Sequence, residues 1–412
     1  MIVVVGAGAA GLVAAIHASV GATRVLVLES TADGGRKILI SGGGRCNVLP
    51  VALEPERFVT DSPAPLLRRL LRSWPLHEQR AFFEREVGVP LHVEEDTRKM
   101  FPDSHRARDV RDGLVALARR AGAEFRFQTK VTGLAAAGAH GWRVLTNNGP
   151  IEATQVIVAT GGLSVPATGS DGVGLTMARE LGHAVHQTYP ALTPLVDDGH
   201  RHAALSGISL EVRLRARWGG RTREAQGGFL FTHRGYSGPA VLDLSHEAVR
   251  SGLSGDERAV LRVQWSGVDG PAWGRMFSGS ATRVLTVIAR ELPARLAEQL
   301  MIEAGVPLDR RTADLARTER AALVERLTSY VLPWTGDEGY RKAEVTGGGV
   351  ALDEIDARTM ESDRRRGVFF CGEVLDAFGP IGGHNFAWAW ATGRLAGLGA
   401  AHAASVTPSG GS

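Results

Sequence analysis

An α/β fold interrupted by an inserted antiparallel module is what this 412-residue sequence predicts, on three observations. The apolar runs Ile2-Val3-Val4-Val5, Val156-Ile157-Val158-Ala159 and Val368-Phe369-Phe370-Cys371 are continuous rather than alternating, as expected of strands buried on both faces in a parallel sheet. Each run meets a small-residue turn, at Gly6, Gly161 and Gly372. Between the second and third, Leu210, Val212, Leu214, Ala216 and Trp218 alternate strictly with charged residues, which is the pattern of a half-buried antiparallel strand.

The first run leads without a linker into Gly6-Ala7-Gly8-Ala9-Ala10-Gly11. Helix formers follow from Leu12 to Ala18, a second strand runs from Arg24 to Leu28, and Glu29 closes it. In this setting G-x-G-x-x-G is the Rossmann dinucleotide-binding fingerprint. Gly6 allows the tight turn, Gly8 lets the backbone approach a pyrophosphate, and Gly11 lets the helix pack closely on the strand; Ala10 shares the turn. An acid at Glu29 accepts hydrogen bonds from an adenosine ribose and repels a 2′-phosphate, which points to FAD or NAD rather than NADP.

From Asp33 to Asn47 the chain is too polar for a core element and too patterned for a random connection, and it reads as a ligand-cradling loop. Consecutive amides around Ser41, Gly42, Gly43 and Gly44 can form an anion nest, Arg36, Lys37 and Arg45 can balance phosphate charge, and Asn47 can bond a heterocycle edge. Helical patterns follow over Pro63 to Gly88, Met100 to Ser104 reads as a turn, and Ala107 to Ala121 as a helix. Short strands at Glu124 to Gln128, Val131 to Ala135 and Trp142 to Thr146 form a β-meander, a feature of two-nucleotide flavoproteins in which Val131 would lie against the adenine. The second buried strand ends in Ala159-Thr160-Gly161-Gly162, where the chain can pass close to a bound dinucleotide.

Strands at Gly228 to Thr232 and Val260 to Trp265, with helices at Pro239 to Arg250, Arg283 to Glu303 and Glu319 to Tyr330, complete the insertion. Thr232 to Pro239 lacks G-x-S-x-G, which argues against acyl chemistry. The third buried strand is followed by Gly372-Glu373, and Gly379 to Phe386 opens a long helix to Leu398 whose positive end points at whatever sits over Gly382, Gly383, His384, Asn385 and Phe386. A reduced flavin, negative near N1 and O2, suits that end. Ser405 to Ser412 reads as a disordered tail. The expected domains are 1–186 plus 335–412 for the cofactor, 187–270 for the β-rich insertion with return strands near 331–345, and 271–330 for a helical excursion.

Composition narrows the class. Hydrophobic residues make up 44% of the chain, and no apolar run approaches the ~20 residues of a membrane span. With the first strand starting at Ile2, no room is left for a signal peptide, and a cytoplasmic location is expected. Cys46 and Cys371 form neither a C-x-x-C nor a zinc pattern, so neither a disulfide framework nor a metal is expected. Of 47 basic residues only those at 37, 99, 130 and 342 are lysine. Arginine forks suit phosphate and base recognition, although arginine-for-lysine usage also follows genome composition and 44 acids are interspersed.

These stretches together resemble the bacterial BaiN/RdsA-type FAD-dependent oxidoreductases. The resemblance rests on Gly6 to Gly11 with Glu29, the string Gly34-Gly35-Arg36-Lys37-Ile38-Leu39-Ile40-Ser41-Gly42-Gly43-Gly44-Arg45-Cys46-Asn47, Ala159 to Gly162, Gly235-Tyr236-Ser237-Gly238-Pro239 and Gly372 to Asn385, in order along nearly the whole chain. It departs from the family pattern at Val48-Leu49-Pro50 and at Gly383-His384-Asn385, both near the expected flavin ring. The resemblance implies a Rossmann-like FAD-binding domain of the glutathione-reductase-like kind, interrupted by a β-barrel-like domain and a small helical domain. It implies FAD, with NAD(P)H as a transient reductant that would bind without its own fingerprint.

Family members include an aminoacetone oxidase, a bile-acid enoyl reductase and a ribosomal-RNA dihydrouridine synthase. The implied chemistry is hydride transfer from flavin N5 to an activated C=C bond, in an enone or in uridine of ribosomal RNA, with no DNA and no membrane partner. An amine or aminoketone oxidase using oxygen, and a non-catalytic flavin- or RNA-binding protein, are the alternatives. A proton must reach the α-carbon, and Cys46, His384 and His233 are the candidate donors. A small buried hydrophobe accounts for Cys46, and a packed imidazole for each histidine, equally well.

Overall fold

The structure is a computed structural model and describes residues 1–406 apart from 22, 139, 140, 256, 279 and 280. It divides into two compact units, Met1–Tyr189 with the chain from Glu344 onward, and Pro190–Ala343. The chain crosses between units after Tyr189 and after Ala343, three and nine residues beyond the expected positions 186 and 334.

The first unit is built on a five-stranded sheet in the order Val368–Phe370, Gln155–Val158, Ile2–Val5, Val25–Leu28, Glu124–Arg126, and every pairing is parallel. Val4 stands between Ile157 and Val27, and all residues of the three central strands are buried. Burial of each Val, Leu or Ile contributes about 1.5–3 kcal/mol, so these apolar runs supply the core that holds the glycine turns in place. The helix Ala9–Ala18 packs along the final helix, His384–Val406. Glycine makes this approach close: a Cβ at Gly393 would lie 2.5 Å from the Ala10 carbonyl oxygen, and one at Gly397 2.4 Å from that of Ala14. Because 393 meets 10 and 397 meets 14, the two helices run in the same direction. At 1.5 Å per residue the final helix begins about 12 Å further back than the first.

Besides a two-stranded sheet of Val185–Ala191 and Val345–Val350, there are two three-stranded sheets: the meander Val131–Ala137, Gly141–Thr146, Ile151–Ala153, and one in the order Leu49–Pro50, Lys99–Pro102, Leu91–Glu94. The second of these corrects the expectation of a turn at Met100 to Ser104. Met100 and Phe101 are buried and paired on both sides, so the strand runs to Pro102 and the expected turn is confined to Asp103-Ser104, closed by the His105 N–H donating to the Pro102 carbonyl at 2.8 Å. The Asp33 to Asn47 stretch also contains more order than a loop, since Arg36–Ile40 is a short helix followed by a 3₁₀ turn over Ser41–Gly44. The last helix runs on beyond Leu398 through Val406, so Ser405 belongs to it, and the remainder of the expected tail, 407–412, lies outside the described residues.

The second unit holds a seven-stranded antiparallel sheet in the order Tyr330–Val331, Val260–Gln264, Ser209–Trp218, Arg221–Phe231, Gly235–Ser237, Leu195–Val196, Gly336–Asp337. Val212, Leu214 and Ala216 face its core and the intervening arginines face out. The helices Pro239–Ser254, Gly270–Met276, Val284–Ile288, Ala294–Glu303 and Arg317–Thr328 contribute to the same core, so residues 271–330 pack as part of this unit rather than as a separate excursion. The expected single helix over Arg283 to Glu303 is broken at Leu292-Pro293, because proline disfavours helix at the residue before it and lacks the N–H to continue one.

Candidate active site

The C-terminal ends of the parallel strands open into a cleft of about 450 Å³ within the first unit. Ligands of open parallel sheets bind at this edge, and cofactor sites span about 300–1,000 Å³. Gly6, Gly8 and Ala10 line it from the first turn, with Glu29 at the end of the second strand. A Cβ built on Gly8 meets no atom within 4 Å, so the glycine leaves room for a group other than protein. Gly11 does not line the cleft: a Cβ there would lie 1.9 Å from the Gly6 carbonyl oxygen, which makes it a packing residue.

Glu29 is buried and organises the turn. Its Oε2 accepts the Ala7 N–H at 2.9 Å, and Oε1 accepts the Thr31 N–H at 2.8 Å and the Thr31 hydroxyl at 2.7 Å. A carboxylate has about four acceptor positions, so Oε2 retains one for a hydroxyl in the cleft.

Arg36, Lys37, Ser41, Gly42, Gly43, Arg45 and Asn47 line the opposite wall, while Gly44 stands back from it. The three cations expected to balance phosphate already have carboxylate partners. Arg36 Nε donates to Asp33 at 2.9 Å, and Arg45 donates to Glu94 at 3.0 Å with its guanidinium 4.2 Å from the Phe101 ring centre. Lys37 Nζ donates to Glu373 Oε2 and to the Ser164 hydroxyl, each at 2.6 Å. Ser164 donates to Glu373 Oε1 at 2.5 Å, and that oxygen also accepts the Thr346 N–H at 3.0 Å. The basic residues therefore stitch the wall together through pairs that leave little net charge for a ligand.

Positive potential comes instead from backbone. The first four N–H groups of a helix have no intrahelical acceptor, and the helix end carries about half a positive charge. Residues at the starts of both parallel helices line the cleft: Gly8, Ala9 and Ala10 at one, Gly382, Gly383, Asn385 and Phe386 at the other. Asn385 fixes the second start, its Oδ1 accepting the Gly379 N–H and its Nδ2 donating to the Gly379 carbonyl, both at 2.9 Å. With the Asn47 amide oriented so that both its groups are satisfied, its oxygen accepts the Gly383 N–H at 3.1 Å and its nitrogen donates to the Leu49 carbonyl at 3.2 Å, tying the cradle to the helix. Ala159, Thr160, Gly161, Gly372, Glu373 and Val131 complete the predicted lining.

The three candidate proton donors are not brought together. Cys46 is fully buried behind the lining, and burial pushes its thiol up to about 12. His384 is also behind the lining, edge-on to Phe58, and burial pulls its imidazole down to about 4. His233 is exposed in the second unit. Sequence reasoning missed Lys99 and Phe101, which reach the cleft from the strand that had read as a turn, and Thr129, Lys130 and Gly169 to Asp171 near the meander. Of these, Lys130 is paired with Asp171 at 2.9 Å, whereas Lys99 has no ion pair among the described residues. Lys99 reaches the final helix start: its Cε lies 3.5 Å from a Cβ built on Gly382.

A flavin adenine dinucleotide fits this donor set: a ribose acceptor, a glycine left open, and two amide-rich helix ends on one elongated cleft. Such a cleft on a parallel sheet defines the class as Rossmann-type FAD-binding oxidoreductases. The family model described as HI0933-like protein Rossmann domain matches residues 1–399. The chain is 32% identical over 402 residues to the ribosomal RNA dihydrouridine synthase of Escherichia coli (strain K12), covering 95% of both. It is 28% identical over 406 residues to the 3-dehydro-bile acid delta(4,6)-reductase of Clostridium scindens, covering 97% of this chain and 98% of that one. The chain belongs to the HI0933-like Rossmann family. Its fold is similar to that of 3-ketosteroid-delta4-(5alpha)-dehydrogenase from Rhodococcus jostii RHA1, with a TM-score of 0.52, 16% identity and coverage of 97% and 96%.

Proposed function

We propose that this FAD-dependent oxidoreductase delivers a hydride to the activated C=C bond of uridine in ribosomal RNA, giving dihydrouridine. The observation that carries this reading is the end-to-end similarity to the E. coli synthase, 32% identity across 95% of both chains. FAD, when bound and reduced by NAD(P)H, supplies the two electrons as a hydride from N5.

The rest falls to the chain. The amides at Gly8 to Ala10 would hold the pyrophosphate, the free position of Glu29 Oε2 would take a ribose hydroxyl, and Val131 would pack against adenine. The second helix start, offset by about 12 Å from the first, would supply amides to stabilise the negative charge of a reduced flavin. Hydride goes to the β-carbon of the uracil enone system and a proton to the α-carbon. Cys46 and His384 sit behind the wall, so we assign the proton to the Lys99 ammonium, which lines the cleft opposite Glu94 on the neighbouring strand and makes no ion pair within 4 Å among the described residues.

The test is an anaerobic reaction of the purified holoprotein with NADPH or NADH and unmodified ribosomal RNA transcript, read by bleaching of the flavin absorbance and nucleoside mass spectrometry. Dihydrouridine is expected; intact uridine alongside a bleached flavin rejects the substrate. A steroid-like dienone is the second reading, favoured by the bile-acid reductase relative, and reduction of such a compound with inert RNA would select it. Peroxide release on aminoacetone would select an oxidase, and a flavin that no reductant bleaches would select a binding protein.

A further inference from the structure

We infer that an arginine-lined hollow beside the final helix docks the phosphate backbone of folded RNA; the inference rests on the RNA reading above and places the substrate's flanks. The hollow is walled by Arg68, Arg69 and Arg72 from the helix Ala64–Arg72 and by Arg358 from a turn, with Leu395 of the final helix between them. Leu67, Leu70 and Leu71 bury the opposite face of the short helix, so packing explains its leucines and leaves its exposed arginines unexplained.

Arginines outnumber acids in the hollow. Glu56 lies 3.6 Å from Arg68 and Asp356 3.3 Å from Arg358; Asp356 also acts electrostatically on Arg69, which like Arg72 makes no ion pair within 4 Å among the described residues. The C-terminal dipole of the short helix accounts for a cation in its last turn, but not for Arg358 on another element. Guanidinium forks match phosphate bidentately, so several converging on one hollow suit a backbone with regularly spaced phosphates.

Leu395 lies eleven residues beyond His384, about 17 Å down the helix whose start opens into the cleft. That distance spans several nucleotides of a nucleic-acid strand. A uridine at the cleft reaches the hollow only when it belongs to a longer RNA. RNA is favoured over an anionic membrane because the hollow is concave and its lining includes none of the exposed large hydrophobics that interfacial binding uses. A rival basic surface exists in the second unit, where Arg213, Arg215 and Arg217 face outward, but Glu224 bridges the first two at 3.2 and 2.6 Å.

The experiment measures binding of a structured ribosomal RNA transcript to holoprotein over a salt series, for wild type, R69Q/R72Q/R358Q, R69K/R72K/R358K and R213Q/R215Q/R217Q. The glutamine variant is expected to bind about 10–100-fold more weakly, with the log K against log salt slope lowered by about 2–3. The lysine variant, which keeps the charge and loses the forks, should retain the salt slope and bind between wild type and the glutamine variant, with the second-unit variant near wild type and flavin bleaching by NAD(P)H unchanged in all. Wild-type affinity in the glutamine variant, or loss in the second-unit variant alone, overturns the inference. So does a loss of sedimentation with phosphatidylglycerol vesicles while RNA affinity is kept. Arginine-dependent binding without dihydrouridine would sink the catalytic reading and leave the docking site; dihydrouridine formed by the glutamine variant at wild-type kcat/KM would do the reverse.

Discussion

The two units each contain a buried polar network, and the networks differ in what surrounds them. In the first unit Lys37, Ser164, Thr346 and Glu373, drawn from four distant segments, close a chain of hydrogen bonds of 2.5–3.0 Å along the cleft wall. In the second, His202 lies 2.8 Å from the Tyr236 hydroxyl and 3.0 Å from Glu303, with the Tyr330 hydroxyl 3.1 Å away, inside a shell of Phe229, Phe231 and Trp265. Lys37 and Glu373 line the cleft, whereas His202 and Tyr236 are buried against aromatic rings. The same chemistry therefore fastens a binding wall in one place and a sheet to a helix in the other. A third cluster repeats the lesson: His183 bridges Glu354 and Ser362 at 3.0 and 2.7 Å, as a nucleophilic triad would, yet Ser362 Oγ accepts the Arg364 and Arg365 N–H groups and merely caps a turn.

Removing one partner from each network should separate the two roles. The largest effect is expected for Glu373→Ala, which strands Lys37 at a largely buried site: about 3 kcal/mol of stability by denaturant unfolding, with flavin retention falling at least tenfold. Flavin retention equal to wild type would show that this network too is purely structural. Next is Lys99→Met, expected to lower kcat about 100-fold at unchanged melting temperature, and undiminished turnover would remove Lys99 from the proton path.

Glu303→Gln tests the core network. Burial would raise the Glu303 carboxyl, but hydrogen bonds from His202, Gln299 and Tyr330 outweigh it and hold the group at about 2. A depressed carboxyl stabilises the fold above its ordinary value of 4.5 and ceases to do so as pH falls toward 2. The variant should lose about 1.5–3 kcal/mol near neutrality, lose that part of the acid dependence, and bind flavin as wild type does. The smallest effect is expected for Cys46→Ser, about 1 kcal/mol of stability with kcat within a few-fold, because the thiol is neutral and off the cleft; a hundredfold loss of kcat would reinstate Cys46 as the donor.

Much of the architecture was legible because its signals are local. Continuous Val and Ile runs specify buried strands, Gly6 to Gly11 specifies a turn that a side chain would block, and Leu210 to Trp218 specifies a one-sided strand. Legibility failed where pairing or packing overrode local preference: Met100-Phe101-Pro102 was drawn into a sheet, Pro293 divided a helix, and residues 271–330 merged into their neighbour's core. The site divided along the same line. Most lining residues sat in glycine-rich strings that announce themselves, whereas Lys99 and Thr129 carried no motif and reached the cleft through the strands that bear them.

The sequence by itself determined the sheet, the glycine turns and the acid at Glu29, because apolar periodicity and missing side chains act between near neighbours. Only the tertiary structure decided which charges remain available. Arg36, Lys37 and Arg45 looked alike as phosphate ligands, yet folding brought Asp33, Glu373 and Glu94 against them and left the amide-rich ends of two parallel helices as the positive side of the cleft. Asp33 is a near neighbour of Arg36, three residues away, but Glu94 lies 49 residues from Arg45 and Glu373 336 from Lys37, and electrostatic pairing over a few ångströms between such distant residues is encoded by no local spacing.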